Sequence, residues 1–215
     1  MAGHGMTLFL DGNETSSIAM AFALYELAAH PQVQQQLRQE IFTAGISTTS
    51  GITYDKLHAL NYLDMVMNET LRLHPPVQVL TRVATEECCL TTSTGQEFKL
   101  RKGMLVTVPV LALHTDPALH NDPTKFLPER FSPEVRKHMD KFSFLPFGEG
   151  PRICLGFRFG MTEAKLGVVA LLTEFEVRLS PLMLNKEIQL NPMSTFLHTA
   201  KNGLWLQFVP LQKNN

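Results

Sequence analysis

Between Pro146 and Gly156 the chain reads PFGEGPRICLG, a stretch that fits no regular element. Its three glycines carry a backbone-entropy cost that is usually met at turns, or where something bulky approaches the main chain. Its two prolines withhold N–H groups that helices and ladders need. The residues that follow place Met161, Ala164, Val168, Leu171, Leu172 and Phe175 at helical spacing, so the loop ends at the head of a helix with one buried face. Cys154 therefore stands near a helix amino terminus, where unpaired N–H groups and the macrodipole favour an anion. Phe147 can pack on a ring and Arg152 can pair with a carboxylate. A cysteine buried and inert in a glycine turn explains the same residues equally well at this point.

The rest of the chain surrounds this loop with helices and short strands. Residues 6–30 read as a helix rich in Ala, Leu and Met. Pro31 opens a second, amphipathic helix with Val33, Leu37 and Ile41 four apart. GISTTSGIT, residues 45–53, is a loop, and residues 54–76 hold one or two helices closed by Pro75 and Pro76. From Val77 the runs VQVLTRVATEECCL, QEFKL and GMLVTVPVLAL are β-prone and predict a small sheet. Residues 115–134 are loop with short helical turns, and the tail from Ile188 predicts strand, loop, strand.

Composition removes several function classes. With 19 Lys plus Arg against 20 Asp plus Glu, and no basic stripe interleaved with aromatics, nothing predicts a nucleic-acid partner. Adjacent Cys88 and Cys89 are poorly placed to bridge each other, and three cysteines make no disulfide framework, so passive thiols in a reducing compartment are expected. Cys154 has no companion at metal-ligand spacing, which argues against structural zinc. The longest apolar run, LGVVALL, falls far short of the roughly 20 residues that cross a bilayer. MAGHGMTLFL has neither a basic leader nor a cleavage signature, so it is not read as a secretion signal.

FGEGPRICLG also resembles the haem-binding signature of the cytochrome P450 haem-thiolate monooxygenases, with Phe147, Gly150, Arg152, Cys154 and Gly156 all at the family's spacing. The resemblance implies a mainly α fold with small β-sheets, a haem (iron protoporphyrin) cofactor, and Cys154 as its axial thiolate, the only metal ligand. Two further motifs follow in the family's order. Glu69 and Arg72, in ETLR, share a helix face, and with Arg130 of PERF the resemblance implies a buried charge network that steadies the cysteine loop. On the residues alone, ETLR reads as a solvated surface pair.

In DGNETSS, Gly12, Glu14, Thr15 and Ser16 match the family's oxygen-activation kink inside a long helix. There Thr15 would hydrogen-bond dioxygen and Glu14 would relay protons. A helix starting afresh at Asp11 with a capping box is the alternative. Asp11 departs from the family's small residue, and a charge facing haem is costly unless solvated or paired. Arg82 reads either as a partner of a haem propionate or as a strand-edge arginine. Val77–Thr81 and Met193–Thr199 match substrate-lining segments by position, and His74 and His198 read as loop or packing residues.

The resemblance covers the whole chain and is greatest toward microsomal, xenobiotic-metabolising insect members, which are about twice as long. Residues 1–215 thus correspond to the carboxy-terminal, haem-binding portion, without amino-terminal half or membrane anchor. The implied reaction inserts one atom of O2 into a small lipophilic substrate, with electrons from an NADPH-dependent flavoprotein reductase. The implied location is the cytosolic face of the endoplasmic reticulum, with membrane association only in the full-length form. Lys141, Arg158 and Lys165 flank the cysteine segment, where solvated charges are a simpler reading than a docking face. Two rivals remain: a haem-binding fragment without turnover, and a cysteine nucleophile with a distant histidine.

Overall fold

A computed structural model describes residues 2–47, 51–184, 186–194 and 196–212. Thr48, Thr49 and Ser50 of the expected loop lie outside the described residues, as does Thr195 of the second substrate-lining segment. The first element, α1, spans Ala2–Ala29 without a break. An interruption at Asp11–Ser17 was expected, and the helix passes through it. The hydroxyls there turn back onto the preceding turn: Thr15 donates to the Asp11 carbonyl at 2.6 Å and Ser17 to that of Asn13 at 2.6 Å. Those carbonyls accept a second bond without giving up the helical one, which bends a helix more readily than it breaks it. The capping-box alternative fails with it, because no helix begins at Asp11.

Next, α2 (Pro31–Thr43) carries Pro31 in its first turn and buries Leu37 and Ile41. Then come α3 (Tyr54–His58), capped by the Thr53 hydroxyl, and α4 (Asn61–Leu73). The residue before α4, Leu60, has no side chain able to cap. Glu40 from α2 supplies the acceptor instead, taking the amides of Tyr62 at 2.7 Å and Leu63 at 3.0 Å. A carboxylate on a helix amino terminus satisfies orphan donors and meets the positive end of the dipole. This docks α4 onto α2.

The β-prone runs after Val77 form two two-stranded antiparallel sheets instead of one, and a third joins the tail to residues 175–179, where Phe175 begins a strand instead of continuing the expected helix. β1 (Val79–Val83) pairs with β4 (Leu105–Pro109), β2 (Cys88–Thr91) with β3 (Glu97–Leu100), and β5 (Phe175–Leu179) with β6 (Leu206–Pro210). Every residue of β2 is exposed, and its hairpin stands as a sheet of its own, bonded to neither β1 nor β4. The run predicted to continue as strand through Leu113 turns helical as α5 (Val110–His114). Pro109 ends the ladder, and the helical turn brings Val110 and His114, four apart, inward together. Toward the carboxy terminus only an isolated bridge, Leu190 to Ala200, forms where a first strand was expected. A short α6 (Pro133–Arg136) precedes the cysteine loop, and α7 (Phe157–Glu174) follows it.

The core gathers α1, α4 and α7, with Ala23, Leu27, Leu63, Met67, Val168 and Leu172 among its buried members. α1 and α7 lie side by side and run the same way. A Cβ on Gly160 would stand 3.2 Å from Ser16 Oγ, and one on Gly167 would collide with Met20 Sδ. Glycine at these two positions is what lets the helices approach so closely. Gln34 ties in the far end: its amide nitrogen donates to the carbonyls of Leu27 (2.9 Å) and Val177 (2.8 Å), and its oxygen accepts from Val177 N at 2.9 Å. A buried amide that satisfies its hydrogen-bonding atoms in this way replaces a ladder partner for β5.

Candidate functional site

The loop ahead of α7 is a chain of backbone turns. Gly148 donates to Leu145 O at 3.1 Å, Ile153 to Gly150 O at 3.1 Å, and Cys154 to Phe147 O at 2.9 Å. Gly148 and Gly150 sit at φ +72° and +79°, the left-handed region that a side chain would strain. The last of these bonds spans the loop and leaves the Cys154 side chain outside it. The thiol is exposed, which removes the buried-cysteine reading.

Because α1 and α7 run parallel from Ser16 on Gly160, the turn of α1 before Ser16 extends toward the side where Cys154 precedes α7. Gly12, Glu14 and Thr15 therefore share one end of the molecule with the cysteine. Glu14 is exposed and Thr15 half-buried, while the Ser16 hydroxyl is buried with no partner among the described residues. This end is strongly apolar: Leu155 is 90% exposed, Phe159 69%, Phe9 69% and Leu10 54%. Asp11 is exposed, so its charge is not stranded in the core.

β1 borders the same loop. A Cβ on Gly148 would lie 3.5 Å from Leu80 Cδ1, and Arg82 falls two residues on, on the same strand face as Leu80. Arg82 is exposed and donates to its neighbour's carbonyl, Thr81 O, at 2.9 Å. Neither Arg82 nor Arg152 has a carboxylate partner among the described residues. The two segments matched to substrate contacts come together as well, through a bridge between Val77 and Leu197 and a bond from His198 N to Pro76 O at 2.9 Å.

This donor set fits the haem that the resemblance implies. A soft sulfur ligand is accessible, exposed apolar side chains surround it, and two unpaired guanidinium groups suit propionates. Cβ atoms added at Gly12, Gly150 or Gly156 would meet nothing within 4 Å, which leaves open space in front of the backbone.

Glu69, Arg72 and Arg130 form one buried cluster. Arg72 and Glu69 are wholly buried and paired two-pronged, Nε to Oε2 at 2.7 Å and a terminal nitrogen to Oε1 at 2.8 Å. Oε1 also accepts from Arg130 Nε at 3.2 Å and from Leu127 N at 2.9 Å. Arg72 donates further to the carbonyls of His114, Pro123 and Lys125 at 2.7–3.1 Å. The solvated-pair reading of ETLR does not hold.

Lys165 also departs from expectation. It is buried and bonds Asp64, so it belongs neither to a docking face nor to the solvated surface. Lys141 pairs with Glu149 at 3.2 Å, and Arg158 lies over the Phe157 ring.

Histidines carry more of the interior than single, scattered positions suggested. His74 stacks on Phe22 at 4.2 Å and bonds Glu26 at 2.6 Å; His30 reaches the same carboxylate at 3.3 Å. Burial alone would raise the Glu26 pKa, but hydrogen bonds from these two rings hold it below the usual carboxylate range. His30 is raised by its hydrogen bond to Glu26, against burial. Burial pushes His114 and His198 down to about 4. Between about pH 6.5 and 4 the unfolded chain takes up protons that these two buried rings refuse. Their contribution to stability is thus complete above about pH 6.5 and is lost as pH falls, by up to about 1.4 kcal/mol per pH unit for each ring. Urea midpoints should fall steeply across that window, and His198→Phe should flatten the slope; midpoints that stay level from pH 6.5 to 4 would contradict buried neutral rings.

The sequence profile of the cytochrome P450 family matches residues 2–206. Among curated proteins, the chain is 40% identical over 213 residues to a probable cytochrome P450 6a14 of Drosophila melanogaster, covering 96% of this chain and 40% of that protein. It is 38% identical over 216 residues to cytochrome P450 6l1 of Blattella germanica, covering 99% of this chain and 41% of that one. It is 39% identical over 216 residues to cytochrome P450 6A1 of Musca domestica, covering 99% and 42%. The chain thus spans about two-fifths of the length of the curated relatives it matches.

Proposed function

Because the chain belongs to the cytochrome P450 family, we propose that residues 1–215 form the haem-binding portion of a haem-thiolate monooxygenase. The reaction inserts one atom of O2 into a lipophilic organic substrate and reduces the other to water. NADPH supplies the electrons through a flavoprotein reductase. The observation that carries this reading is the exposed Cys154 thiol, held outside a hydrogen-bonded glycine loop among exposed apolar side chains.

Haem, when bound, would supply redox-active iron for oxygen chemistry, and a thiolate ligand would favour O–O cleavage. This chain's own residues have distinct tasks. Cys154 would hold the haem iron through sulfur. Phe147 would pack against the ring, and the bare backbone at Gly150 and Gly156 would let it approach. Arg152 and Arg82 would hold its carboxylates. Thr15, whose proton is engaged by Asp11 O, presents oxygen lone pairs on the site side of α1. Glu14 is in contact with solvent and is suited to carrying protons inward. Val77–Thr81 and Met193–Thr199 border the substrate, and the Glu69–Arg72–Arg130 cluster holds the segment that leads into the cysteine loop.

Among the described residues no helix is long and apolar enough to cross a membrane. Placement at the cytosolic face of the endoplasmic reticulum rests on family resemblance. The test is the absorption spectrum of the reduced, carbon-monoxide-bound protein, followed by turnover of a lipophilic probe with reductase. A red-shifted Soret band and NADPH-dependent product are expected. Iron held by nitrogen, or not held, overturns the proposal.

A further inference from the structure

His114, fully buried at the end of α5, joins the charge cluster to the strand of chain that enters the cysteine loop. Its carbonyl accepts from Arg72 at 2.8 Å, and its Nδ1 lies 3.1 Å from Arg72 O. Its Nε2 lies 2.8 Å from the amide nitrogen of Leu145. An amide can only donate, so Nε2 must present its lone pair. In a neutral ring the proton then sits on Nδ1 and is donated to Arg72 O. Both ring nitrogens are thereby used, and only one tautomer serves.

Leu145 O accepts from Gly148 N, the first turn of the loop, and Phe147 O accepts from Cys154 N. An unbroken path of hydrogen bonds and short covalent steps therefore runs from Glu69 and Arg72 through His114 to Cys154. A parallel strut supports it: His120, also buried, lies 3.0 Å from Ser143 O. The Phe144 ring packs against the His114 ring at 5.2 Å.

We infer that His114 is a positioning residue for Cys154, its Nε2 lone pair fixing the Leu145 amide and hence the height of the cysteine loop above the core. The inference rests on the reading of Cys154 as the haem ligand. What the ring provides is an acceptor at one point in space. Removing that acceptor leaves a buried N–H unpaired, and the loop can satisfy it only by moving.

Three variants separate this from bulk packing. His114→Phe keeps an aromatic ring and loses the acceptor. His114→Asn is too short to reach Leu145. His114→Gln places a carbonyl oxygen near the Nε2 position. Each is prepared with haem and compared at equal folded fraction, by amide exchange of residues 143–154 and by the share of carbon-monoxide-bound protein showing the red-shifted Soret band.

Phe and Asn are expected to speed exchange at Leu145 by about tenfold, the order for loss of one buried hydrogen bond, and to shift most of the protein out of the red-shifted form. Gln is expected to retain both properties. A Gln variant as defective as Asn overturns the inference, and so does an Asn variant indistinguishable from wild type. If Phe does not fold, the Asn–Gln pair decides. If wild type itself lacks the red-shifted band, the haem-ligand reading has failed, and the exchange comparison still judges the hold of His114 on the loop.

Discussion

Cys154→Ser is expected to leave the fold intact and to abolish the red-shifted Soret band of the reduced, carbon-monoxide-bound protein. The two halves of that result have separate causes. The loop around Cys154 is shaped by backbone bonds, from Gly148 N to Leu145 O and from Cys154 N to Phe147 O, and by two glycines at positive φ. None of these involves the sulfur. The side chain is exposed, so exchanging sulfur for oxygen should alter stability by no more than about 0.5 kcal/mol. The iron, by contrast, would lose a soft, electron-rich donor for which a serine hydroxyl is no substitute at neutral pH. Thermal unfolding and the spectrum, taken on one preparation, read the two halves together. A serine variant that keeps the wild-type band would show that the ligand is another residue.

The largest stability loss is expected from Glu69→Ala. Its carboxylate takes two bonds from Arg72, one from Arg130 and one from Leu127 N. Truncation leaves the fully buried Arg72 with a charge that three backbone carbonyls only partly compensate. Breaking one side of a buried pair typically costs about 3–5 kcal/mol. That is a large share of the roughly 5–15 kcal/mol by which a domain is stable. Removing both charges, as in Glu69→Leu with Arg72→Met, should cost less than the sum of the single changes, because no ion is then stranded. Urea unfolding of the two singles and the double measures the coupling. Strict additivity would mean that the pair is not acting as a unit.

Features with local causes were legible in the sequence. Pro31 marks a helix start because its missing N–H is not needed there; Pro109 ends a strand for the converse reason, although the run around it reads as strand through Leu113. The loop at Cys154 could be seen because glycines and prolines rule out the alternatives. ETLR and PERF became meaningful as a pair only through family resemblance; by spacing alone Glu69 and Arg72 look like a surface ion pair. Glu40 capping α4, Gln34 bridging to Val177, Lys165 meeting Asp64 and His114 holding Leu145 could not be found by periodicity. Each joins residues far apart in the chain, and nothing at either position announces its partner. The unbroken course of α1 past Asp11 had a local cause after all: Thr and Ser hydroxyls have a preceding carbonyl within reach and need not open the helix.

The parallel contact of α1 with α7 sets an order of events during synthesis. Ser16 and Gly160 touch in the finished protein, yet about 140 residues separate them. At roughly 5–20 residues per second, the first helix waits on the order of ten to thirty seconds outside the ribosome before its mate emerges. For that interval the side of α1 that α7 will cover stays open, and the nascent chain depends on chaperones or on the contacts α1 already makes with α2 and α4. Slower translation between the codons for α4 and α7 should therefore lower the yield of folded protein.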